Sequence, residues 1–250
     1  MDVMNKTMIY AHRGANREAA ENTRTAFDLA LAYPIDGMET DVQLSRDGVA
    51  VLWHDWTLDK LGLPARRIDD YEYRELQTMD FAAHFGRGAK PEGIMGLRDF
   101  VDACKPRCRL LLEIKSRDDE DTGRQETKIR QTLELAGKTG EGRVLASSFH
   151  LPSLIYAHQC VPDFPLVYNC ESWQTVSGAE RVLEAHPYLH GLCLHKRTLD
   201  ESMVQMLRRH GKSIAVYTCN SDAEIRRALG LGVDILISDL PQKALQMRDA

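Results

Sequence analysis

Two apolar runs carry charged side chains at alternate positions, a spacing that could do chemistry. Gly37-Met-Glu-Thr-Asp-Val puts Glu39 and Asp41 on one side of an extended chain, with Met38, Thr40 and Val42 on the other. Arg109-Leu-Leu-Leu-Glu-Ile-Lys repeats the arrangement with Glu113 and Lys115. Carboxylates that converge in an interior are costly unless paired or metal-bound. Three of them suit one hard divalent cation, Mg2+ or Ca2+. No Cys or second His lies within the same short motifs to favour zinc. A salt-bridge network among Glu39, Asp41, Glu113 and Lys115 is the alternative that spacing alone leaves open.

Two histidines flank these carboxylates. His12 ends the first apolar run and is followed by Arg13-Gly14, and His54 ends the run after Asp41. Imidazoles titrating near about pH 6.5 can supply one base and one acid at neutral pH. Phosphodiester cleavage needs that division: a nucleophile loses a proton and the leaving alkoxide gains one. It also needs cations around the phosphoryl oxygens, which Arg13, Lys115 and a metal can provide. The other seven histidines read as surface or satisfied core residues. Downstream, Asn22 or Thr23 reads as an N-cap for a helix starting near Arg24, and Glu21 as able to reach back to Arg13.

The elements that must position these residues alternate. Strands are expected at Met8–Ala11, Gly37–Val42, Arg109–Ile114, Val144–Ser148, Pro165–Asn169, Gly191–His195, Ser213–Thr218 and Asp234–Ser238. Helices are expected at Thr25–Tyr33, Leu97–Cys104, Thr122–Lys138, Leu151–Gln159, Thr175–His186, Asp200–His210, Ser221–Leu229 and Pro241–Met247. This alternation implies an α/β fold, a (β/α)8 TIM barrel, whose active sites sit at the C-terminal strand ends. An open doubly wound sheet is the alternative, without a Gly-rich phosphate loop to support it. Val49–His54 pairs plausibly with Val42–Leu44, and residues 55–96 read as a small insertion after the second strand. With no repeat or linker, residues 1–250 read as one domain.

Bulk properties narrow the function class. The net charge is −5, with no basic block for nucleic acid or a membrane surface. No run approaches the ~18 apolar residues of a spanning helix, so no stable membrane association is expected. The start of the chain lacks the pattern of a secretory signal, and the six scattered cysteines then read as reduced thiols in a cytoplasmic protein.

Taken in order, His12-Arg13-Gly14, Glu21-Asn22-Thr23, Glu39-Thr-Asp41-Val, Asp47-Gly48, His54-Asp55 and Glu113-Ile-Lys115 resemble the glycerophosphodiester phosphodiesterases. The similarity continues through Ser147-Ser-Phe149, Thr218-Cys-Asn220, Gly232-Val-Asp234 and Ser238-Asp-Leu-Pro241, nearly the whole chain. The resemblance implies a TIM barrel of the cytoplasmic bacterial type, acting in lipid and glycerol metabolism. It implies small-molecule substrates, deacylated phospholipids, cleaved to sn-glycerol 3-phosphate and an alcohol. It also implies that Glu39, Asp41 and Glu113 hold the metal, that His12 and His54 are the acid/base pair, and that Arg13 and Lys115 meet the phosphate. Tyr217 stands where the family has a Trp and keeps an aromatic substrate wall. Two further departures are Ala20, for the family's proline, and Met95-Gly-Leu-Arg-Asp99, which lacks its acidic pair.

Overall fold

Short apolar runs buried on both faces extend as parallel strands, and side-chain alternation then sorts each residue inward or outward. The computed structural model describes residues 6–86, 88–137 and 143–250. Its strands are β1 (Met8–His12), β2 (Gly37–Leu44), β3 (Ala50–Leu52), β4 (Arg109–Ile114), β5 (Val144–Ser148), β6 (Leu166–Cys170), β7 (Gly191–His195), β8 (Ser213–Tyr217) and β9 (Ile235–Ser238). They hydrogen-bond in the order β1-β9-β8-β7-β6-β5-β4-β2-β3. The additional parallel pairing of β1 with β2, His12 opposite Glu39, closes eight of them into a barrel and excludes the open sheet. The ninth, β3, runs antiparallel to β2 as a hairpin arm, with Val42 opposite Leu52.

Helices α1 (Arg24–Ala30), α2 (Tyr73–Leu76), α3 (Leu97–Cys104), α4 (Thr122–Ala136), α5 (Leu151–Cys160), α6 (Val176–Ala185), α7 (Glu201–Arg209), α8 (Asp222–Gly230) and α9 (Pro241–Asp249) complete the chain. At three helix starts that differ from expectation, capping explains the shift. Thr175, Asp200 and Ser221 lie outside their helices as N-caps, each side chain accepting a backbone N–H three residues on. Helix α1 ends at Ala30 with Leu31 as its C-cap, short of Tyr33, whose place before Pro34 disfavours a helical conformation. Helix α4 ends at Ala136, where Gly137 takes φ 85°; Lys138, also expected in it, lies outside the described residues.

The outward faces of the strands pack on the helices through residues such as Met38, Val42 and Leu112 against Phe27 and Phe100. The inward faces fill the barrel with Tyr10, Leu111, Val167, Ala215, Ile235 and Ile237. Gly37 makes room for that plug, since a Cβ there would lie 2.5 Å from the Tyr10 ring. Above the plug the inward positions turn polar. That change separates a packed floor from a chemical mouth.

The excursion after β3 is a string of short helical turns with its own core. Trp53, Leu58, Ile68, Leu76 and Phe81 are buried there, and Tyr71 and Tyr73 pack against them. Of Tyr71, Tyr73, Phe81 and Phe85 in this excursion, only Phe85 is exposed, at 39%. No helix among the described residues is long and apolar enough to cross a membrane.

Candidate active site at the barrel mouth

The inward alternation of β2 delivers Glu39 and Asp41, and that of β4 delivers Glu113 and, one step beyond the strand, Lys115. One oxygen from each of the three carboxylates lies within 4.8 Å of the others. Asp41 is fully buried. Its Oδ2 lies 3.0 Å from Arg13 Nε and accepts a hydrogen bond from Asn22 Nδ2 at 3.1 Å. Lys115 Nζ is 3.0 Å from Glu113 Oε1 but 3.8 Å from Asp41 Oδ1. The salt-bridge network is thus incomplete. Glu39 Oε2 and Asp41 Oδ1 are buried and accept no hydrogen bond from the described residues. Unsatisfied carboxylate oxygens are expensive in an interior, and converging ones are the donor set of a hard divalent cation. The residues present therefore fit such an ion.

The electrostatics of the pair agree. Burial and then the neighbouring Asp41 push Glu39 well above the usual carboxylate range. Burial acts on Asp41 in the same direction, but Arg13 and then Lys115 outweigh it and hold Asp41 well below that range. Within the pair, the surroundings favour the charged form of Asp41 and the neutral form of Glu39.

His12 leaves β1 beside them, with Nε2 3.8 Å from Glu39 Oε2. Its Nδ1 meets Asp239 Oδ1 at 2.6 Å. Asp239 also accepts from Asn16, Arg17 and Asn220. Burial tends to raise Asp239, yet the bonds from His12 and its neighbours win and hold it well below the usual range. An ionised Asp239 requires the proton on Nδ1 of His12, which leaves Nε2 as an acceptor. Burial, reinforced by Arg13, lowers the His12 pKa and favours that neutral form. His54 stands after β3, with Nδ1 2.7 Å from Asp55 Oδ1.

A cavity of about 190 Å³ brings together His12, Arg13, Glu39, His54, Glu113 and Tyr217. Lys115 does not line it. It lines an outer cavity of about 360 Å³ with Trp56, and His54 and Glu113 border both. Tyr217 offers the inner cavity its ring, edge-on to Phe149 at 5.8 Å, while its hydroxyl donates to the Cys170 carbonyl.

Three residues carry more than the sequence reading assigned to them. Asn22 is not the helix cap; Thr23 is, accepting from Ala26 N. Asn22 instead sits at φ 59° and braces Asp41, and Thr40 donates to its Oδ1. Asp239 was legible only as part of a motif. Asn169, on the inward alternation of β6, donates to Glu113 Oε2 at 3.3 Å; its place at a strand end was the available signal. Glu21 does reach Arg13, at 3.1 Å.

A family model described as the glycerophosphoryl diester phosphodiesterase family matches residues 12–243. A relative from Bacillus altitudinis, named glycerophosphodiester phosphodiesterase, is 30% identical over 251 residues, covering 97% of this chain and 98% of its own. A solved phosphodiesterase from Oleispira antarctica, described in complex with the product sn-glycerol-3-phosphate, superposes with TM-score 0.86 at 28% identity, covering 97% of each chain. A structure from Silicibacter pomeroyi shares the barrel at TM-score 0.86 and 22% identity, over 98% of this chain and 94% of its own.

Proposed function

The chain belongs to the glycerophosphoryl diester phosphodiesterase family, and we propose that it hydrolyses small glycerophosphodiesters to sn-glycerol 3-phosphate and an alcohol with a divalent cation, Mg2+ or Ca2+, held by Glu39, Asp41 and Glu113. The observation that carries this reading is the meeting of two histidines, Arg13, Glu39 and Glu113 at one cavity, with the buried Asp41 completing the carboxylate cluster behind it. The bound cation would supply positive charge to the phosphoryl oxygens.

The chain's own residues supply the rest. Arg13 binds the phosphate from the inner cavity, with Glu21 and Asp41 fixing its guanidinium. Lys115, at the rim, adds charge from the outer cavity. His12 Nε2 takes the proton of the attacking water, since Asp239 occupies Nδ1. His54 borders the outer cavity and gives a proton to the departing alcohol, with Asp55 orienting its ring. The Tyr217 ring walls the glycerol side.

Small diesters rather than intact lipids are favoured by the inward packing of Tyr71, Tyr73 and Phe81. Six unpaired cysteines, five of them buried, support a cytoplasmic setting. Barrel and excursion form one domain. Purified protein should release glycerol 3-phosphate from glycerophosphocholine and stop when a chelator is added. No release with either metal would reject the reading.

A further inference from the structure

One cation in the excursion touches the supports of two site residues. Lys60, in the turn Asp59–Leu61, places Nζ 2.6 Å from Glu21 Oε1 and 2.9 Å from Asp55 Oδ2. The other oxygen of Glu21 accepts from Arg13 at 3.1 Å, and the other oxygen of Asp55 meets His54 Nδ1 at 2.7 Å. Charges alternate from Arg13 through Glu21 and Lys60 to Asp55, and Asp55 in turn holds the His54 ring. Lys60 Nζ also lies 5.0 Å above the Trp53 ring, in the core of the excursion.

On the reading that this mouth hydrolyses phosphodiesters, we infer that Lys60 is a positioning residue for the reaction. Its ammonium fixes Glu21 and Asp55, which aim Arg13 at the phosphate and His54 at the leaving group. Glu21, His54 and Asp55 offer ligand atoms within 4.8 Å of one another, a set that by itself suits a metal ion. Lys60 supplies the positive charge there instead. Without it two carboxylates face each other across the gap, and each loses one of the two contacts that hold its rotamer. The excursion thereby takes part in catalysis without touching substrate, and its docking sets the geometry of both groups.

The experiment compares wild type, Lys60→Met, Lys60→Ala and Lys60→Arg in glycerophosphocholine turnover. Lys60→Met keeps the stem on Trp53 and removes only the charge. Its kcat should fall about 10²-fold, the cost of misplacing reacting groups by about an ångström, with KM changing far less. Lys60→Arg should recover most of the loss, and added ethylammonium should partly rescue Lys60→Ala; a purely structural role predicts neither. A Lys60→Met kcat within twofold of wild type overturns the inference, as does equal loss in the Arg and Met variants. Should Lys60→Met fail to fold, Glu21→Gln cuts this series of contacts at its Arg13 link, and an unchanged kcat there overturns it. No turnover by wild type overturns the phosphodiesterase reading and this inference together. Turnover by wild type with Lys60→Met unaffected removes this inference alone.

Discussion

His12 Nδ1 and Asp239 Oδ1 lie 2.6 Å apart although 227 residues separate them in sequence. The contact exists because β1 and β9 are neighbours in the closed barrel, with Ala11 opposite Ser238. Closure therefore does more than bury apolar surface. It brings an ionised carboxylate to the far side of an imidazole whose other nitrogen faces the carboxylate cluster.

Asp239→Asn tests that arrangement. The amide can offer its N–H to Nδ1, which then must accept, and the proton moves to Nε2 where a base is needed. kcat should drop by about 10²-fold, within the 10²–10⁴ range of general acid–base catalysis, with KM nearly unchanged. Arg17→Ala removes an exposed partner of the same carboxylate and should cost far less. Comparable losses in the two variants would show that Asp239 serves the fold and not the imidazole.

The barrel and its carboxylates were legible in the sequence because alternation is a local rule. Arg109–Ile114, Val144–Ser148, Gly191–His195 and Leu97–Cys104 form with the bounds their patterns imply. Asn22 was not legible, since a polar residue before a helix looks like a cap until the tertiary position of Asp41 is known. Lys60 was hidden for the same reason: its partners lie in the β1 loop and the hairpin arm, and no periodicity reports a contact between loops.

Asn22→Ala and Thr23→Ala should separate these roles. The first removes a hydrogen bond to a buried charge and forces alanine to φ 59°, together about 2–4 kcal/mol. It should lower activity as well, because Asp41 loses one of its supports. The second removes a helix cap and should cost about 1 kcal/mol with kcat retained. Chemical denaturation with turnover assays checks both; equal kcat in the two variants would return Asn22 to a purely local role.

Cation binding should be visible without turnover. An ion held by Glu39, Asp41 and Glu113 binds only the folded chain, so Mg2+ or Ca2+ should raise Tm. At a hundredfold excess over Kd the gain is about 2.7 kcal/mol. Asp41→Asn should abolish the rise, and so should a chelator. Thermal scans with and without metal decide it: a wild-type Tm indifferent to both ions would remove the metal from the scheme.

Asp69 gives a pH test of the excursion's docking. It lies in the turn Ile68–Asp70, and its carboxylate binds Arg67 at 3.1 Å and, beyond β4, Arg117 at 2.9 Å. Burial tends to raise its pKa, but the hydrogen bonds from Arg67 and then Arg117 prevail and hold it down to about 2, from an ordinary 3.8. A carboxylate depressed in the folded state stabilises it fully above the unfolded value and loses that contribution as pH falls through the folded one. The window therefore runs from about pH 4 down to about pH 2. Asp69→Asn should melt below wild type at pH 7, and the gap should close across that window. Because the same excursion carries Lys60, turnover at pH 7 should fall in the variant as well. Calorimetric scans from pH 7 to pH 2 measure the gap, and a constant difference throughout would mean that the ion pairs of Asp69 contribute nothing to holding the excursion on the barrel.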